Sequence, residues 1–314
     1  MPSTHAASIC AAVLLAACAA RAGEQAGPAA NSAEKTLAEV TPQLSFDAEK
    51  SMVHIAIPGF PDLGCETYCY EDSLGKAVEN KMDGKNLVLV HKNPKLEGVT
   101  VTSTFKPSPG GVEQVVTVEG PSAEAVRGVA FVNPCVQFQN AAAFGRRQDW
   151  KSDYVADFVG RCFVFLEGGF TLLKDAKRVP GTMPVTYEHA AKVNGEKPWI
   201  QEYVPVWEKH FGQQKGERGW STDRPVYPII GVVSYDGKNL AALAWPETSR
   251  LGQVWMYCIH PRPCVLTTHE PGAKKFVSRG KFYFMPNDGK ALLAAFEKDY
   301  PGWKALAEKP TVWK

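Results

Sequence analysis

The chain has 314 residues, with 35 Lys plus Arg against 33 Asp plus Glu. No basic block interrupts that near-neutral balance, which argues against nucleic acid as a partner. Its 27 Gly, 23 Pro and 11% aromatic content favour a β-rich, loop-rich protein.

The N-terminal run AASICAAVLLAACAARAG is apolar, built of small residues and too short to span a bilayer. It ends in Ala20-Arg21-Ala22, an A-x-A cleavage pattern, so residues 1–22 read as an export signal. Leu15-Ala16-Ala17-Cys18 also has the form of a lipobox, in which Cys18 is lipidated and becomes the first mature residue. The chain is therefore expected to be exported, to the periplasm or beyond, with a lipid anchor at Cys18 as the alternative and the only expected link to a membrane. Residues 23–42, with no aromatic side chain, read as a flexible tether. The remaining residues, 43–314, are expected to form one β-sandwich domain.

Within that body, SMVHIAIPG places Val53, Ile55 and Ile57 on one face of a strand, and NLVLVH at 86–91 repeats the two-residue period. GVTVTSTFKPSPGGVEQVVTVEG reads as a hairpin closed by Pro-Ser-Pro-Gly-Gly. A break follows at Asn133-Pro134, because proline cannot donate to a sheet ladder. RCFVFLEGGFTLLKD predicts a second hairpin turning at Gly168-Gly169, and residues 174–222 read as loops over a binding face. Asp236-Gly237 closes a third hairpin, GQVWMYCIH and KKFVSRGKFYFM supply two more strands, and Asp288 caps a helix carrying Leu292, Leu293, Phe296 and Tyr300. Many short strands without strand–helix alternation argue for a mainly β antiparallel sandwich with a C-terminal helix.

Of the eight cysteines, Cys10 and Cys18 fall in the signal. The other six form an even set, which outside the cytoplasm reads as disulfides. Proximity suggests Cys65 with Cys69 and Cys258 with Cys264, leaving Cys135 with Cys162. The stretch CIHPRPC admits other readings: Cys258, His260, Cys264 and His269 could supply four zinc ligands. The expectation adopted is a disulfide from Cys258, at a strand end, to Cys264, with His260 on a stiff loop between them and neither metal nor cofactor bound.

Three residues are candidates for catalysis. His260 can act as acid or base near neutral pH, Glu247 lies in AWPETSR just past a strand end, and Arg279 could neutralise a uronate carboxylate. Trp245 offers a flat stacking surface, and Gln137, Asn133, Tyr187 and Tyr203 offer polar or aromatic contacts to a sugar. Glycoside hydrolysis needs two carboxylates; Glu188, Glu202, Asp223 and Glu247 are available. Lyase chemistry would draw instead on Tyr187, Tyr203, Arg224, His260 and Arg279.

EPGAKKFVSRGKFYFM followed by the helix GKALLAAFEKDY resembles the closing segment of galactose-mutarotase-like super-sandwich domains. VVSYDGKNLAALAWPETS and CIHPRPC look like segments of secreted bacterial proteins that accompany polysaccharide breakdown, so the resemblance covers residues 225–300. The mutarotase catalytic His and Glu have no counterpart in a matching context, and epimerase activity is not implied. The resemblance implies the fold type and a carbohydrate or polysaccharide partner, bound by a lyase or hydrolase or by a non-catalytic glycan-binding protein.

Overall fold

Two β-sheets face one another across a common core. A computed structural model describes residues 36–68, 76–129, 132–145, 154–176, 200–208, 219–220, 223–254, 257–263, 265 and 270–308. The expected export signal with Cys18, most of the tether, Cys69, Cys264, His269, Tyr187 and Glu188 lie outside them.

The first sheet runs β1 (Gln43–Asp47), β2 (Met52–Ala56), β3 (Cys65–Tyr68), β8 (Cys135–Gln137), β16 (Cys258–Pro263), β15 (Thr248–Val254), β11 (Ile200–Tyr203) and β12 (Gly219–Trp220). The second runs β10 (Gly169–Leu172), β9 (Cys162–Leu166), β13 (Ile229–Val233), β14 (Asn239–Ala244), β17 (Lys275–Pro286), β7 (Gly111–Glu119), β6 (Thr100–Ser108), β5 (Asn86–Lys92) and β4 (Lys76–Asp83). Neighbouring strands are antiparallel except β11 and β12. Short helices α1 (Ala123–Arg127) and α2 (Tyr154–Arg161) connect strands, and α3 (Gly289–Asp299) and α4 (Trp303–Ala307) close the described chain. No helix among the described residues is long and apolar enough to cross a membrane.

Alternation sets which side chains enter the core. Val101, Ser103 and Phe105 on β6, and Val112, Gln114, Val116 and Val118 on β7, are buried, while the residues between them are more exposed. Strands β13 and β14 abandon alternation and are apolar on both faces, IIGVV and NLAALA. The reason is a second layer: α3 and α4 lay Leu292, Phe296 and Trp303 against Phe163, Phe165, Ile229 and Tyr283 on the far side of that sheet. Asp288 caps α3, accepting from the backbone N–H of Lys290 and Ala291 at 2.9 and 3.0 Å.

Four expectations need correction. Packing begins before Gln43, since Leu37 and Val40 are buried in the sandwich core. GQVWMYCIH is not one strand: β15 ends at Val254, Tyr257 turns the chain at φ 57°, and β16 starts at Cys258. The segment from Cys258 to Pro263 is therefore a strand and not a loop. Its prolines are accommodated because β15 bulges between Thr248 and Leu251, and the intervening Arg262 N–H bonds the Thr248 hydroxyl at 2.8 Å. Finally, no disulfide joins Cys135 to Cys162. Cys162 points into the sandwich core, whereas Cys135 shares the face of Gln137, opposite to the core-facing Val136.

Candidate functional site

The residues singled out in the sequence separate into a cleft, a buried polar row and the core. The cleft lies on the helix-covered side of the second sheet and has a volume of about 410 Å³. On β17, Val277, Arg279 and Lys281 point away from the sandwich core, while Phe276, Ser278 and Phe282 point into it. Glu113 on β7 sits opposite Lys281, so it shares that outer face. The turn between β14 and β15 brings up Pro246 and Glu247, and the end of α3 adds Asp299, Tyr300 and Pro301. Val277, 42% exposed, and Leu306 give the cleft apolar surface.

Glu247 and Arg279 thus meet in one cleft. The Glu247 carboxylate is held from behind: the Ser278 hydroxyl donates to its Oε2 at 3.1 Å, and the Trp245 indole N–H donates to Ser278 Oγ. Asp299 is gripped by Lys281 Nζ at 2.7 Å and by the Tyr283 hydroxyl at 2.9 Å, and Glu113 lies 3.7 Å from Lys106 Nζ. Tyr300, 8% exposed, places a buried hydroxyl with no hydrogen-bond partner among the described residues beside this cleft. Burial pushes the ionisation of Tyr300 upward; the charges of Glu113, Asp299 and Glu247 add to the shift and Arg279 opposes it. The hydroxyl therefore keeps its proton and remains a donor at neutral pH.

Trp245 and Tyr203 do not offer faces to a ligand. Trp245 is wholly buried, its ring lying over the backbone of Gly280 where a Cβ would overlap it, and Tyr203 is wholly buried in the sandwich core. Trp245 bears on the cleft through Ser278.

His260 is not in the cleft. It pairs with Gly252, five residues along β15 from Glu247, or roughly 15 Å at the rise of a strand. It belongs to a polar row on the face of the first sheet that points away from the core. In register across that face stand His54, Glu66, Gln137 and Cys258, with Cys135 and His260 alongside. His54 Nδ1 lies 3.1 Å from Glu66 Oε1, and Asn140 donates to Glu66 Oε2 at 2.6 Å. Asn133 Oδ1 lies 3.0 Å from His260 Nδ1, and Gln137 donates to Cys135 Sγ at 3.5 Å. Hydrogen bonding from Cys258 holds the Cys135 thiol well below its usual range; burial opposes this, and the charge and hydrogen bond of His260, with Gln137, support it. Burial instead pushes the thiols of Cys65 and Cys162 upward.

The sequence reading missed Glu113, Asp299 and Tyr300. Asp299 and Tyr300 stand in EKDYPG at the helix end, a Pro-Gly stop, and Glu113 is one outward residue of an alternating strand. Nothing local distinguishes them from solvated surface.

No protein-family model matches the chain, and comparison with the curated proteins gives no match. Among solved structures, the Slr1438 protein from Synechocystis is 9% identical with a TM-score of 0.36, over 82% of this chain and 99% of that one. A galactose mutarotase-like protein from Clostridium acetobutylicum is 10% identical with a TM-score of 0.30, over 68% and 67% of the two chains. The GH36 α-galactosidase AgaA from Geobacillus stearothermophilus is 7% identical with a TM-score of 0.29, over 79% of this chain and 30% of its own. The likeness is weak and structural, and it carries no activity from those proteins to this chain.

Proposed function

We propose that this chain is an exported carbohydrate-recognising protein and that the cleft between β17, β7 and the end of α3 takes a neutral sugar unit. The supporting observation is the buried Tyr300 hydroxyl, which has no hydrogen-bond partner among the described residues, beside a cleft lined by Glu113, Glu247, Asp299 and Arg279. Sugar hydroxyls both donate and accept, so they can satisfy carboxylates, guanidinium and phenol together, while Val277 and Leu306 face the apolar C–H surface of a ring. With Lys281 against Asp299 and Lys106 against Glu113, and Arg279 in the lining itself, three cations match the three carboxylates, so the cleft offers no excess positive charge to a uronate. A neutral glycan therefore fits better than the acidic substrate of a lyase.

The second reading is a hydrolase. It is favoured by several carboxylates lining one cleft, the residue type from which glycoside hydrolysis draws its acid and its base or nucleophile. Glu247, fixed by Ser278, is the carboxylate for that role.

One experiment tests both readings. The protein is incubated with neutral and acidic polysaccharides, binding is measured by calorimetry and products by mass spectrometry. Binding to a neutral glycan is expected, weakened about 10-fold or more by Glu247→Gln, since a hydrogen bond to a charged group contributes about 1.5–3 kcal/mol. Hydrolysed ends abolished by Glu247→Gln would make it an enzyme. Binding that Glu247→Gln, Arg279→Ala and Tyr300→Phe all leave unchanged, or no binding at all, would overturn the assignment of the cleft.

A further inference from the structure

The polar row on the first sheet carries chemistry that carbohydrate binding does not use. We infer that Cys135 Sγ, Cys258 Sγ and His260 Nε2 form a site for a soft d10 metal ion, Zn²⁺ or Cu⁺. The three side chains are buried, and their donor atoms all lie within 4.8 Å of one another.

Strand geometry brings them together. Cys258 and His260 are two residues apart on β16 and so share a face. Ile259 pairs with Val136, so Cys135, one residue before Val136, and His260, one residue after Ile259, lie at the same end of that ladder and on the same face. Gly252, the partner of His260 on the other side, has no side chain to crowd the ring.

The distances suit coordination. His260 Nε2 lies 3.4 Å from Cys258 Sγ. Nitrogen and sulfur bound to one tetrahedral zinc, at about 2.05 and 2.3 Å, are about 3.6 Å apart. The other ring nitrogen, Nδ1, is 3.0 Å from Asn133 Oδ1. An amide oxygen only accepts, so Nδ1 carries a proton and Nε2 is the nitrogen left for a metal, the orientation that an outer partner gives to a metal-binding histidine. Gln137 supplies an N–H to Cys135 Sγ at 3.5 Å, which favours a thiolate there.

A disulfide suits the pair less well. Gln137, not Cys135, stands directly opposite Cys258, so the two cysteines are diagonal neighbours. Diagonal Cβ atoms are about 7 Å apart, against about 3.8 Å in a disulfide. A metal ion bridges that gap with both strands in place. Two thiolates and an imidazole select soft ions; Cu⁺ accepts three donors, and Zn²⁺ adds a water as the fourth. Binding takes both sulfurs as thiolates, and any proton they still hold leaves to solvent.

The test uses the full chain, reduced and made metal-free, then given Zn²⁺ or, without oxygen, Cu⁺. About one equivalent of one of these ions should be retained after dialysis, and Co²⁺ in its place should show thiolate-to-cobalt charge-transfer absorption. Cys135→Ser and Cys258→Ser should each lose the ion, and the double variant should lose the absorption entirely. Asn133→Ala, whose fold is checked by circular dichroism, should weaken binding about 10- to 100-fold while keeping the absorption, as expected for an outer partner of the histidine. Neither ion retained by the reduced protein would overturn the inference. So would retention undiminished in the double variant, or a Cys135–Cys258 disulfide whose reduction restores no metal uptake.

Discussion

Ser278→Ala removes one oxygen that serves two partners. It accepts the Trp245 indole N–H and donates to Glu247 Oε2. Ser278 and Trp245 are both wholly buried, so in the variant the indole N–H has no water to turn to. Stranding a buried donor costs about 1–3 kcal/mol. For a domain of this size each kcal/mol lowers Tm by about 2–4 °C, which places the fall between about 2 and 12 °C. The decisive measurement is a double-mutant cycle with Trp245→Phe, read by urea denaturation of all four proteins. Once the indole is gone, Ser278→Ala strands no donor, so the double variant should be more stable than the sum of the singles predicts, by about 1 kcal/mol or more. Additivity within about 0.5 kcal/mol would refute the argument that this hydrogen bond carries the stability. A second readout follows from the same oxygen. Ser278 does not line the cleft, yet its loss removes a hydrogen bond that positions the Glu247 carboxylate, so glycan affinity should fall in Ser278→Ala as well.

Asp288→Ala should cost about 1 kcal/mol, because two backbone N–H groups at the start of α3 lose their acceptor, and a melt should show Tm lower by about 2–4 °C. Asp236→Asn tests pH dependence. Ser234 and the Lys238 backbone N–H bond the Asp236 carboxylate, in that order of effect, and hold its pKa below the usual 3.8. A depressed folded pKa means stability present above the unfolded pKa and lost as pH falls through the folded one. The stability gap between wild type and Asp236→Asn should therefore be constant near neutrality and close under acid; a gap that persists unchanged at the lowest pH would contradict this origin.

Much of the fold was legible because its signals are local. The period of two in residues 86–92, the Gly-containing turns at Gly110 and Gly237 with φ 72° each, and the Asp288 cap all act within a few residues. Such signals survive any tertiary arrangement that buries one face of each strand. The double-sided burial of IIGVV and NLAALA was also written as continuous apolar runs, although the helices responsible lie some fifty residues further along the chain.

The sites were less legible, because faces and neighbours are decided by strand order. Glu247 and Arg279 belong together only because β14 pairs with β17, and His260 was separated from them only because β16 entered the other sheet. Trp245 looked like a platform since nothing in AWPETS shows that Gly280 will admit its ring. The cysteines mislead for the same reason. Elimination left Cys135 to Cys162, whereas β8 brings Cys135 to Cys258, and Asn133 reaches His260 across 127 residues. Alternation, turn chemistry and capping are interactions between near neighbours in the chain, so the amino-acid sequence by itself determines a mainly β protein with a capped terminal helix. Which outward residues share a face depends on pairings between strands far apart in sequence, and that only the tertiary structure decides.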